Sequence, residues 1–280
     1  MDSWEAWDTK RMAEPIIAAF NINKSFHVGG ADVPILKKVS LSVAPGDFLI
    51  IFGPSGCGKS TLLHTILGLE EPDSGQIIFM GSDLYKKVKR TMVVEPSSLR
   101  KFIKSVDPVA EDERSEIRKK HIGMVYQQPN WIKSLNVVEN VAFPLQLLGK
   151  AKTECLAKAT ELLKTVDMLE HATYFPTELS SGQQQRIALA RALVTNPEVI
   201  IADEPTGNLD YESGQALMQL LTHLNTELKK TILMVTHDLE YLKFAKTAVK
   251  MFNGEVVGVY HDGEKGKLAS EIKGKEKRGI

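Results

Sequence analysis

Gly53-Pro54-Ser55-Gly56-Cys57-Gly58-Lys59-Ser60-Thr61 is the stretch on which the fold turns. It follows an apolar run, Phe48-Leu49-Ile50-Ile51-Phe52, that reads as a buried strand. It precedes Leu62, Leu63, Ile66 and Leu67, spaced as a helix. Strand, glycine-rich turn and helix N-terminus, in that order, are the context in which G-x-x-x-x-G-K-[ST] denotes phosphate binding. The glycines let the backbone curl so that successive N–H groups point into one concavity, and the helix start adds roughly half a positive charge there. Lys59 is then expected to reach the β- and γ-phosphates, and the Ser60 hydroxyl to ligate Mg²⁺. Alone, the pattern recurs by chance in about one chain in a hundred of this length and specifies only a nucleotide.

The chain has 280 residues, 43% of them apolar and 25% charged, enough for one large α/β domain or two small ones. Lys plus Arg and Asp plus Glu are 35 each, so no net basic field argues for nucleic acid, and none is expected as a partner. The two cysteines, Cys57 and Cys155, are too few for a disulfide framework, and Cys57 reads as a reduced thiol inside the phosphate loop. No apolar run approaches the ~18 residues a membrane span requires. The start, Met1-Asp2-Ser3-Trp4-Glu5-Ala6-Trp7-Asp8, is acidic and lacks the features of a signal peptide. A soluble or peripheral protein is expected, with residues 1–13 as an N-terminal tail.

Residues 15–25 pass from an apolar run to alternation, and Leu36 to Val43 alternates again beyond Gly29-Gly30, which predicts an antiparallel pair with a turn. Phe26 ends the first strand; from its spacing it reads equally as a purine-stacking ring or a strand-end core residue. Gly75 to Gly81 encloses a short strand. Residues 84–120, dense in charge and carrying Pro96 and Pro108, read as a surface insertion, flexible or partly helical, with helical periodicity at Ser97 to Lys104. Ile122 to Gln127 returns to a buried strand, and helical patterns follow over Val137 to Leu148, with Pro144 as a kink or break, and over Thr153 to Val166.

Leu179-Ser180-Ser181-Gly182-Gln183-Gln184-Gln185-Arg186 opens a helix that runs to Asn196-Pro197, a second anion-binding N-terminus without a lysine. Val199 to Ala202 is a strand ending in Asp203-Glu204-Pro205. A helix after Asp210 carries Leu217, Leu220, Leu221, Leu224 and Leu228 on one face, and Ile232 to Thr236 is a strand ending at His237-Asp238. Strands alternating with helices predict an α/β fold with a mainly parallel sheet and its site at the carboxyl edge. The strand-end groups suit ATP hydrolysis. Asp203 can hold Mg²⁺ directly or through water, and Glu204 can polarise the attacking water. His237 can sense or hold the γ-phosphate, and Gln127 can ligate the metal or orient the water.

Taken together, Gly53-x4-Gly58-Lys59-Ser60, Gln127, Leu179-Ser180-x-Gly182-Gln183, Asp203-Glu204, Asp210 and His237 resemble the Walker A, Q-loop, signature, Walker B, D-loop and switch-histidine motifs of ATP-binding-cassette (ABC) ATPases. The signature separates that family from other P-loop NTPases. The resemblance implies a RecA-like core, an antiparallel β-subdomain near the N-terminus and a helical subdomain over about 130–190, within a single domain of residues 14–262. It implies Phe26 as the adenine-stacking aromatic. It also implies a head-to-tail dimer in which Ser180 and the Gly182 amide complete the nucleotide site of the opposing copy, with Gln183 and Asp210 also among the nucleotide-binding residues.

Ala202 to Asp210 and Asn136 to Val141 look like the subgroup that includes lipoprotein-release, macrolide-export and cell-division cassettes, LolD, MacB and FtsE. Ser181 departs from it, standing where a second glycine is usual. The subgroup implies an ATP-hydrolysing subunit on the inner face of the cell membrane, driving a separate transmembrane permease docked on the surface after Gln127, Trp131 included. Export or lipoprotein extraction is the expected direction. The alternative is an ATP-dependent regulatory subunit of the cell-division type that gates a membrane complex. DNA-repair and ribosome-acting cassettes fit less well, because there is one cassette here and no sustained heptads. The tail 263–280 reads as charged and mobile, weakly attracted to anionic surfaces.

Overall fold

The computed structural model describes residues 14–85, 108–262 and 264; the tails, with Trp4 and Trp7, and the periodic segment Ser97 to Lys104 lie outside them. The expected parallel strands form one layer: β3 (Phe48–Phe52), β6 (Ile122–Tyr126), β7 (Val199–Asp203) and β8 (Thr231–Thr236), joined by β9 (Thr247–Phe252) and the antiparallel β10 (Glu255–His261). Their order is β10-β9-β3-β8-β7-β6. Near-continuous apolar strands of this kind need cover on both faces. Alternate residues go to opposite sides: Leu49, Ile51, Ile201, Leu233 and Val235 to one core, Phe48, Ile50, Ile200, Ile232 and Met234 to the other.

The first face is covered by α1 (Lys59–Ile66) and a second, four-stranded antiparallel sheet, order β2-β1-β4-β5. Its β1 (Ile17–Val28) and β2 (Ala31–Val43) form the predicted hairpin, and the strand between glycines becomes β4 (Ser74–Phe79), followed by the short β5 (Ser82–Asp83). The other face is covered by α5 (Ser181–Leu193) and α6 (Tyr211–Thr226). A third core joins α5 to α3 (Val137–Leu147) and α4 (Lys152–Thr165) through Val141, Ala159, Leu163, Ile187 and Ala190. Each fully buried Val, Leu or Ile among them contributes about 1.5–3 kcal/mol.

Of the two readings of the charged insertion, flexible or partly helical, the helical one holds from 108 onward, where Pro108–His121 is a helix, α2, running directly into β6. Arg114, 5% exposed, joins Glu111 at 2.8 Å, lies over the Tyr85 ring and approaches the Leu84 carbonyl at 3.5 Å. Arg118 donates to the Leu67 and Gly68 carbonyls at the end of α1. Charge density suggested solvent, but these guanidinium groups satisfy buried carbonyls instead. Pro144 does not break α3, which runs to Leu147 behind a capping box between Asn136 and Glu139. Leu228 lies beyond α6 and is 55% exposed, off the buried face of Leu217, Leu221 and Leu224.

Candidate nucleotide site

The parallel register sets the site. Phe52 pairs with Thr236, Asp203 with Val235, and Tyr126 with Asp203. Gly53, His237, Asp203-Glu204 and Gln127 therefore leave the sheet side by side at its carboxyl edge, where ligands bind in open α/β sheets.

The loop from Gly53 to Thr61 is shaped for an anion. A Cβ on Gly53 would meet the Met251 carbonyl oxygen at 2.2 Å, and Gly58, at φ 100°, would meet that of Ile35 at 2.9 Å. Only glycine lets the turn sit against these walls. α1 begins without a side-chain cap, so the first amides of the helix point into the loop for an acceptor from outside the chain. Lys59, buried, donates its ammonium to the Gly53 and Pro54 carbonyls at 2.9 and 3.1 Å. Pro54, Ser55 and Gly56 form the outer rim, where Gly56 has φ 77°. Cys57 is buried, which raises its thiol pKa against the opposing pull of Lys59 and keeps it protonated.

Ser60 Oγ donates to Asp203 Oδ1 at 3.2 Å. A hydroxyl and one carboxylate facing each other at a phosphate loop fit Mg²⁺, which takes few protein ligands and shares its shell with phosphate and water. Burial raises the Asp203 carboxyl pKa, opposed by the Ser60 hydrogen bond and the charges of His64 and Lys59. No three His, Cys, Asp or Glu side chains converge elsewhere on a metal position among the described residues.

Glu204 has φ 44°, in the left-handed region that non-glycine residues rarely occupy. Its N–H donates to the Val235 carbonyl at 3.0 Å and its carbonyl accepts from Gly207 N–H at 3.0 Å, so both neighbours hold the strained geometry. The turn carries its side chain, 19% exposed, to Lys59 at 3.8 Å and His237 Nδ1 at 2.8 Å. The exposed Gln127 lies against the same turn: its Nε2 is 2.7 Å from where a Cβ on Gly207 would stand.

The structure gathers Lys59, Ser60, Asp203, Glu204, His237 and Gln127, but the signature lies elsewhere. Ser180, Gly182 and Gln183 line a groove of about 610 Å³ with His171 and Ser213 that includes no residue of the phosphate loop. Ser180 caps α5, with Oγ accepting from Gln183 N–H at 3.3 Å and its own N–H donating to Gln183 Oε1 at 2.9 Å. A Cβ on Gly182 would strike Ser213 Oγ at 2.7 Å, and Ser213 is held by Asp210, the cap of α6. Phe26, 37% exposed, carries the Lys24 ammonium over its ring at 5.0 Å.

Sequence reading missed the glutamines after the signature. Gln185, 2% exposed, donates Nε2 to the carbonyls of Tyr126 at 2.9 Å and Pro205 at 2.7 Å, tying α5 to both strand ends that carry Gln127 and Glu204. Gln184 accepts from Trp131 Nε1–H at 2.8 Å, and Arg191 covers the Trp131 ring at 4.5 Å. Trp131 is thus half-buried and tied to α5, and only part of it faces outward. A polar residue among the apolar positions of α5 is the one sequence signal that marks Gln185.

Comparison with known proteins agrees with this geometry. The family model described as ABC transporter matches residues 36–207. The chain is 39% identical over 244 residues to the uncharacterised ABC transporter ATP-binding protein MJ1508 of Methanocaldococcus jannaschii, covering 87% of this chain and 99% of that one. It is 37% identical over 240 residues to the lipoprotein-releasing system ATP-binding protein LolD of Psychrobacter arcticus, covering 85% and 96%. Among solved structures, the dimeric post-hydrolysis state of the cassette MJ0796 bound to ADP and Pi superposes with a TM-score of 0.74 at 35% identity, covering 88% of this chain and 98% of that chain. The chain belongs to the ABC transporter ATP-binding family, and is an ATPase of its LolD-like subgroup. No helix among the described residues is long and apolar enough to cross a membrane.

Proposed function

We propose that the chain works as a head-to-tail pair in which the Lys59 cluster of one copy and the Ser180 groove of the other enclose ATP, and that the pair drives a separate membrane permease. The observation that carries this is the separation itself: the groove holding Ser180, Gly182 and Gln183 contains no part of the phosphate loop. The solved structure of the similar MJ0796 cassette is dimeric and holds ADP and Pi, which supports the pairing.

In this reading Phe26 stacks on the adenine, and the loop amides and Lys59 hold the phosphates. Ser60 and Asp203 hold Mg²⁺, Gln127 lying nearby on the same edge; bound there, the ion neutralises charge on the transferred phosphoryl group. Glu204 takes a proton from the attacking water while His237 orients its carboxylate. Across the interface, Ser180 Oγ accepts from Gln183 N–H, so its hydroxyl proton is available to the γ-phosphate. Loss of that phosphate removes contacts from both copies and the pair opens. ATP drives the motion only through its differential affinity for the closed form.

Likeness to LolD supports a membrane permease as partner, at the inner face of the cell membrane, with export or lipoprotein extraction as the work done. The test is phosphate release and ATP-dependent dimerisation of the purified chain beside Glu204→Gln. Turnover by the wild type and a stable ATP-bound dimer of the variant are expected; a wild type that binds ATP yet never pairs, with or without permease, would sink the proposal. Flux in vesicles reconstituted with the permease separates transport from gating of a membrane complex.

A further inference from the structure

The signature serine is held by a chain of contacts that ends on a histidine outside the motif. Gln183 Oε1 accepts the Ser180 N–H at 2.9 Å, which fixes the amide so that its Nε2 faces His171 Nε2 at 3.1 Å. A glutamine NH₂ only donates, so His171 Nε2 must accept, and the ring proton must sit on Nδ1. That Nδ1 is buried without a hydrogen-bond partner. A buried unpaired donor costs free energy, so the tautomer is set by Gln183 and by nothing on the other side of the ring. Tyr174 meets the ring edge-on, centroids 5.2 Å apart, and holds its plane.

We propose that neutral His171 is a positioning residue for the signature: it orients the Gln183 amide and so holds Ser180 in place for ATP on the opposing copy. This rests on the head-to-tail reading above. Protonation puts a second donor against the Gln183 NH₂. Either the ring moves or the amide flips, and a flipped amide turns its NH₂ on the Ser180 N–H and opens the cap. Lys164 of α4, Arg186 of α5, Asp167 and Glu170 line the same groove, and Arg186 lies 3.9 Å from Asp167. The contact with Gln183 requires the form of His171 in which Nε2 accepts. Removing that acceptor should weaken pairing and hydrolysis.

The test uses the full chain and two readouts, the Ser180 amide resonance of the nucleotide-free protein and ATP hydrolysis. In His171→Phe, which keeps a ring against Tyr174 but accepts nothing, the Ser180 amide should be displaced and hydrolysis lower by about fivefold. In His171→Gln, whose side-chain oxygen can accept from the Gln183 NH₂, both should return toward the wild type. A Ser180 amide indifferent to both substitutions, or an equal loss in His171→Phe and His171→Gln, would overturn the proposal. A chain that never hydrolyses ATP would instead remove the head-to-tail reading, while the Ser180 amide would still report on the contact.

Discussion

His237 Nδ1 lies 2.8 Å from Glu204 Oε2, while the Lys59 ammonium stands 3.8 Å from Oε1 of the same carboxylate. One acid is thus shared between the lysine of the glycine-rich loop and the histidine that follows the neighbouring strand. Its backbone, at φ 44°, is bent to reach both. Glu204→Gln should lower kcat by about 10²–10⁴-fold with ATP still bound, since general-base assistance accounts for effects of that size. His237→Ala should lose about 10²-fold in kcat by releasing the carboxylate from its geometry. Single-turnover phosphate release beside nucleotide binding separates these from simple loss of affinity.

Asp203 gives a prediction of opposite sign for stability and activity. Burial raises its pKa above the unfolded value, so its contribution to stability is present below the unfolded pKa and is lost as pH rises through the folded one. At neutral pH the buried charge is therefore a cost. Asp203→Asn, which can still accept from Ser60, should raise the Tm of the nucleotide-free chain by ~1–2 °C at pH 7 and leave it unchanged in acid. The same variant should lose Mg²⁺-dependent hydrolysis. Scanning calorimetry at two pH values, with an ATPase assay on the same samples, checks both halves.

The Cys57 thiol, pushed up by burial, should be nearly inert at neutral pH although it sits in the phosphate loop. Alkylation by iodoacetamide should run at least about tenfold slower than for a free thiol at pH 7 and accelerate only in alkali. Prompt modification at neutral pH would mean the loop is more open than its contacts indicate.

α2 should behave as structure and not as a surface appendage. Arg114 is held by Glu111, Leu84 and Tyr85, and the Tyr85 hydroxyl lies 2.8 Å from both the Thr65 and the Glu70 carbonyl around the end of α1, its one proton serving the two. Arg114→Ala should cost about 1–3 kcal/mol by urea unfolding, with Arg114→Met costing less because its stem can still pack. Burial alone would raise the Glu111 carboxyl, but hydrogen bonds from Arg118 and Arg114 outweigh it and hold it below the usual range. Stability from that cluster is present above the unfolded pKa and should fade as pH drops through the folded one.

Much of the site is legible in the chain because its parts are local. A strand followed by a glycine turn and a lysine needs only neighbouring residues to curl around phosphate, and an apolar run ending in Asp203-Glu204 or His237 needs only its own composition to mark a buried strand with a polar tip. Residue types thus determined the elements, the loop and the candidate groups, and the signature determined the family. What brings the groups together is decided elsewhere, by pairings between distant strands. Ser60 meets Asp203 across 143 positions, and the order β9-β3-β8-β7 lets Lys59 and His237 share the Glu204 carboxylate. The left-handed turn at Glu204, the packing of Arg114 and the hand-off from His171 to Gln183 to Ser180 belong to the tertiary structure alone. A glutamine or an arginine has the same donors everywhere, and only the fold decides which carbonyl, ring or amide stands in front of them.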